Sequence, residues 1–173
     1  HLDLHSFPTR RSADLITSIP DSYVGGLIGY GDEYTWISSS SATGRVRATG
    51  DGSYAGGLAG YLSDYSNVAD SSATGNVTAT GGYSSVGGLV GELYDYSTIS
   101  GSHAGGDVTV TTDNTYAGGL VGYADEYTHT NSSFATGNVT ASGSVDAGGL
   151  VGYMEYYNTI HNSHATGSVT VDG

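Results

Sequence analysis

The sequence predicts an all-β chain. The expected fold is a parallel β-solenoid, or β-helix, of about five 31-residue coils with three short strands in each. Three observations predict it. The segment Val86-Gly87-Gly88-Leu89-Val90-Gly91 recurs, slightly varied, at 24–29, 55–60, 117–122 and 147–152. Its first Gly falls at 25, 56, 87, 118 and 148, so the spacings are 31, 31, 31 and 30. A fixed period in this range marks a repeat architecture and outranks any local propensity. Apolar–polar alternation then recurs once per period, in Val77-Thr78-Ala79-Thr80, Val108-Thr109-Val110-Thr111 and Val139-Thr140-Ala141-Ser142. That alternation is the pattern of a half-buried strand. Finally, no stretch carries useful helical periodicity, because Gly and β-branched residues are too frequent. A β-propeller or a stack of hairpins is the runner-up, but a blade takes roughly 40–50 residues.

The repeats divide as 22–52, 53–83, 84–114, 115–144 and 145–173. In the second, Tyr54 to Tyr61 is small and apolar, and a middle segment runs from Tyr65 to about Val68. The third segment spans Ser72 to Thr80, and Gly81-Gly82 punctuates the return. Val46, Val77, Val108, Val139 and Val169 occupy one column, expected to stack inward with Thr outward. Leu27, Leu58, Leu89, Leu120 and Leu150 form another, each followed by a second apolar residue. Two adjacent apolar columns cannot both point inward on a regular strand. Either one is covered from outside, or a Gly bulge re-aims it. A single coil cannot bury its own Leu and Val, so neighbouring coils must supply the walls.

Residues 1–21 read as a non-repeat N-terminal segment, an artefact or a linker. The string from Ser6 to Leu15 resembles a translated sequencing adapter of the kind found at the ends of metagenomic reading frames. On that reading the chain is a fragment, its stack continued by flanking repeats of a larger protein. Deleting residues 1–15 is expected to leave the repeats equally stable.

Seventeen acids against Arg10, Arg11, Arg45 and Arg47 leave a net charge of −13. Such a surface repels nucleic acid and anionic membranes. No run of about 18 apolar residues exists, so membrane insertion is not expected. The absence of Cys excludes a disulfide scaffold and a thiolate metal site.

The acids Glu33, Asp64, Asp95 and Glu126 share a column, and Asp32, Asp125 and Glu155 lie one position earlier. Stacked carboxylates repel at about 5 Å, and a hard cation such as Ca²⁺ would relieve that. The plainer reading is a solvated acidic corner, with no cofactor and no metal site. A catalytic carboxylate pair should occur once rather than in every repeat, which argues against a polysaccharide hydrolase. Tyr34, Tyr65, Tyr96, Tyr127 and Tyr157 form one aromatic column, and Tyr30, Tyr61, Tyr123 and Tyr153 another. Such ladders either contact sugar or protein or simply cover a narrow core. His103 and His164 share a column two coils apart, too far to share a metal. The outward Thr residues form a small array like those of ice-binding solenoids, interrupted by Arg45, Arg47 and Asp172.

The Gly-Gly-Leu-Val-Gly segment and Ile160-His161-Asn162-Ser163-His164-Ala165-Thr166-Gly167-Ser168-Val169 together resemble the GLUG-motif repeat family. The Ala-Thr-Gly core recurs at 42–44, 73–75, 135–137 and 165–167 and becomes Ala104-Gly105-Gly106 in the third repeat. The resemblance covers residues 22–173. It implies a module of bacterial and archaeal surface or secreted proteins, adhesin-like ones among them, hence an extracellular or cell-surface location. No catalytic residue belongs to the motif. The expectation is therefore a non-catalytic structural or adhesive module whose partner is a glycan or another cell-surface protein. The alternative is a carbohydrate-binding surface made by the Tyr and acidic columns.

Overall fold

The computed structural model describes residues 10, 11 and 13–173, and every element in it is a short β-strand. The strands form five parallel sheets, and each full coil contributes one strand to each sheet. In the second coil these strands are Tyr54–Gly56, Ala59–Leu62, Asn67–Ala69, Ser72–Ala73 and Val77–Ala79. They are referred to in that order as the first to fifth sheets. The Gly-Gly-Leu segment thus carries two short strands, the middle segment one, and the Ala-Thr-Gly segment two. The middle strand begins at Asn67, because Tyr65 belongs to a corner.

Register follows the sequence period. Val77 lies opposite Val46 on one side and Val108 on the other. Val46, Val77, Val108 and Val139 are all at most 1% exposed, as an inward column requires. Val169, covered on one side only, is 43% exposed. Leu58, Leu89 and Leu120 are fully buried, while Leu27 and Leu150 pack half-buried against the same core.

The doubled apolar column is resolved by a bulge. Leu58 and Ala59 both donate their N–H groups to the carbonyl of Leu89, at 2.8 and 3.1 Å. The same pairing recurs up the stack, at Leu27 and Ile28, at Leu89 and Val90, and at Leu120 and Val121. Two residues facing one partner carbonyl turn the chain, and both side chains enter the core.

The core has two lobes. One holds Leu58, Leu62, Val68 and their equivalents from the second, third and fourth sheets. The other holds Ala55, Val77 and Ala79 and their equivalents from the first and fifth. Between the lobes the coil is pinched. A Cβ on Gly57 would lie 2.2 Å from the carbonyl oxygen of Gly88 and 2.7 Å from the Cβ of Ala73. Only a hydrogen fits there, so the second Gly of each pair and the Ala of Ala-Thr-Gly form one waist.

Corners are held by side chains that replace ladder partners. The N–H groups of Ser40, Ser71, Ser102 and Ser133 donate to the hydroxyls of Ser71, Ser102, Ser133 and Ser163 at 3.1–3.2 Å. Each of these five hydroxyls donates to the carbonyl two residues before it, at 2.7–2.9 Å. A hydrogen-bonded relay therefore climbs the stack. Shorter relays run from Thr35 through Ser66 to Ser97 and from Ser53 through Ser84 to Thr115. Among the described residues no buried side-chain polar atom lacks a partner, as a narrow dry core demands.

The repeat ladder begins earlier than residue 22. Leu15–Thr17 pairs in parallel with Val46–Ala48, with Leu15 opposite Val46, and Arg10–Arg11 pairs with Ser41–Ala42. Leu15 packs against the second core lobe. The Asp14 carboxylate accepts the Arg45 N–H at 2.9 Å and meets its guanidinium at 3.2 Å. Read as foreign to the repeats, this segment instead continues their ladder at Arg10–Arg11 and at Leu15–Thr17. The 31-residue offset was present, but Leu stands for Val and both Gly motifs are missing. Residues 1–9 and 12, which include much of the adapter-like stretch, lie outside the described residues.

Candidate interaction surfaces

The corner between the second and third sheets carries the predicted site residues. At Glu33-Tyr34, Asp64-Tyr65, Asp95-Tyr96 and Glu126-Tyr127 both residues have positive φ, between 45° and 64°. In the fifth coil Tyr156 takes the acid's place before Tyr157, with φ of 47° and 60°. Left-handed backbone costs roughly 1–2 kcal/mol for a non-Gly residue, and here the cost recurs in every coil. Inter-coil bonds overrule it: Tyr34, Tyr65 and Tyr96 each donate N–H to the carbonyl of the acid one coil on.

The geometry turns each Tyr outward. Tyr34, Tyr65, Tyr96, Tyr127 and Tyr157 are all at least 40% exposed. Their rings stack in sequence with centroids 5.5, 5.1, 4.9 and 5.0 Å apart and planes within 14°. Parallel rings this close cover one another's faces, so the ridge presents ring edges and a row of phenolic hydroxyls.

Beside the ridge run the acids. The Ser63 hydroxyl bonds to Asp32 at 2.7 Å and holds its carboxyl below the usual range. The hydrogen bond with the Asp32 carboxyl pushes Asp64 up, since the two share a proton best when one is neutral. Among the described residues no three acids or His converge closely enough to hold a metal ion. The two His of one column are separated by Phe134, which stacks on His103 at 4.9 Å and on His164 at 5.5 Å.

A second aromatic surface covers the first and second sheets. Its outward columns read Tyr23, Tyr54, Ser85, Tyr116, Asp146 and Tyr30, Tyr61, Glu92, Tyr123, Tyr153. Tyr23 stacks on Tyr54 at 4.9 Å and meets Tyr30 edge-on. Tyr123 stacks on Tyr153 at 5.7 Å. The Tyr123 hydroxyl donates to the carboxylates of Asp125 and Glu155 at 3.0 and 3.1 Å. Burial raises the phenol pKa of both Tyr61 and Tyr123 far above the ordinary value.

In the third coil Ser85 and Glu92 replace the Tyr pair. Burial pushes the Glu92 carboxyl up to about 7, and only the Ser85 hydroxyl, at 3.0 Å, donates to it among the described residues. Reading motifs coil by coil missed this pair. Reading the column at 31-residue spacing finds Glu92 between Tyr61 and Tyr123 directly. On the fifth sheet Thr78, Thr109, Thr140 and Thr170 stand in register beyond Arg47.

Three stretches, residues 51–78, 82–111 and 143–170, match the family model "The GLUG motif". These matches and the coil geometry make the chain a repeat module, an in-register β-solenoid. It belongs to the GLUG-motif family. No curated protein and no solved structure matches it.

Proposed function

We propose that this repeat module is a non-catalytic structural and adhesive segment of a larger exported cell-surface protein, with the Tyr–acid ridge as its contact surface. One observation carries the reading. Five coils hold the same strained corner and so present five tyrosines in register across the stack. Backbone strain retained at every repeat points to a use for the side chains it aims. Flanking repeats extend the ridge, and each added coil adds one ring and usually one acid. The recurrence of the acids in successive coils supports a binding rather than a catalytic role.

A second reading makes the partner a glycan. The alternating phenol and carboxylate groups favour it, since both hydrogen-bond sugar hydroxyls. The stacked rings weigh against face-on sugar stacking along the middle of the ridge. Beads coated with the protein, tested on glycan arrays and on cell-surface protein extracts, separate the two. Replacing Tyr65, Tyr96 and Tyr127 together with Ser should abolish adhesion, while Phe at the same positions should keep protein contacts and lose glycan contacts. Adhesion unchanged by the triple Ser variant would refute the ridge as the contact surface.

A further inference from the structure

Coil three breaks the aromatic wall on the first and second sheets. Tyr61 and Tyr123 stand two coils apart, about 9.6 Å at ~4.8 Å per coil. Each stacks on a ring on its far side, Tyr30 and Tyr153. Towards the third coil each faces Glu92 instead of a ring. Tyr54 and Tyr116 flank Ser85 in the same way. Tyr116 also lies against Tyr123, at 5.1 Å and 27°, and Tyr54 meets Tyr61 edge-on, so the wall is broken only at the level of the third coil, where a single carboxylate stands between Tyr61 and Tyr123.

Among the described residues that carboxylate has no counter-ion. The chain has no Lys, and its four Arg all precede residue 48; Arg45 is paired with Asp14. The groups that face Glu92 are the phenols of Tyr54, Tyr61, Tyr116 and Tyr123 and the carboxylate of Asp125, none of them cationic. A cation midway between the two rings would lie about 5 Å from each, within the ~6 Å reach of a cation–π contact. The geometry points to a notch that binds the ammonium group of a lysine side chain from a partner protein. Glu92 supplies the charge-assisted hydrogen bond, and Tyr61 and Tyr123 supply the walls. The notch lies apart from the ridge, so its test stands independently of the adhesive reading.

The probe is Nα-acetyl-lysine methylamide, titrated into the whole chain in 150 mM salt and followed by saturation-transfer NMR. Saturable binding is expected. It should weaken at least tenfold in Glu92→Gln, and it should strengthen between about pH 6 and pH 8 as Glu92 ionises. Glu33→Gln, on the ridge, should bind as the wild type does. Glu92→Tyr, which completes the ring column, should not bind; if it fails to fold, Glu92→Gln alone decides. Absence of saturable binding, equal binding by Glu92→Gln, or an equal loss in Glu33→Gln overturns the proposal. Glucosamine binding as tightly as the lysine probe would overturn the lysine assignment.

Discussion

Replacing Gly88 with Ala tests the pinched waist in the central coil. The added Cβ would lie 2.1 Å from the Gly119 carbonyl oxygen and 2.9 Å from the Cβ of Ala104. A carbon and an oxygen need about 3.2 Å, so the overlap is about 1 Å. Neither neighbour can yield easily. Gly119 is held by its own N–H bond to the carbonyl of Gly148, and Ala104 is locked in the opposite wall. Overpacking usually costs roughly 1–3 kcal/mol, and an immovable backbone places this case at or above the upper end. At about 2–4 °C per kcal/mol for a chain of this size, the melting temperature should fall by at least about 6 °C. Gly105→Ala is the matched control. Its Cβ would find Thr74 Cγ2 at 3.5 Å, an ordinary contact. That substitution should stabilise by about 0.4–1 kcal/mol through the unfolded chain. Thermal melts followed by circular dichroism on both variants decide the matter. Equal melting temperatures for Gly88→Ala and wild type would refute the waist.

Val108→Asp buries an unpaired charge in the second lobe and should cost several kcal/mol, against little change for the outward Thr109→Asp, both read by thermal melts. Ser102→Ala removes the acceptor of the Ser71 N–H and should cost about 1–3 kcal/mol, with faster amide exchange at Ser71 in hydrogen-exchange NMR. Deleting residues 1–17 uncovers Val46 and removes Leu15 from the core, so denaturant melts should show a loss of about 1–3 kcal/mol rather than none. Glu92 is protonated more readily folded than unfolded. Its contribution is therefore fully present below about pH 4.5 and lost as pH rises through about 7. The stability difference between wild type and Glu92→Gln should move against the wild type across that window, and a flat difference would refute the desolvated carboxyl.

The sequence alone determined the period, the number of coils, the inward Val column and the register of the Tyr ladder, whose outward direction came from the structure. In a parallel in-register stack the neighbour of residue i is residue i + 31, so a column written in the sequence is a column in space. Val46, Val77 and Val108, or Tyr65, Tyr96 and Tyr127, needed no knowledge of how a coil bends. What the tertiary structure decided lies across the coil. Which Ala faces Gly57 depends on how the chain folds back over its own lumen, and no periodicity encodes that distance. The same holds for the bulge that turns both Leu58 and Ala59 inward, because a carbonyl from the next coil selects it. The Ser relay was written in the Ser40, Ser71, Ser102, Ser133 and Ser163 column, yet a polar column reads as surface until backbone geometry shows it buried. Leu15 joined the ladder without either Gly motif, because pairing with Val46 requires only an extended backbone and an apolar side chain. Glu92 became a distinct group only when its neighbours on both sides proved to be rings, since desolvation is a property of surroundings and not of the residue.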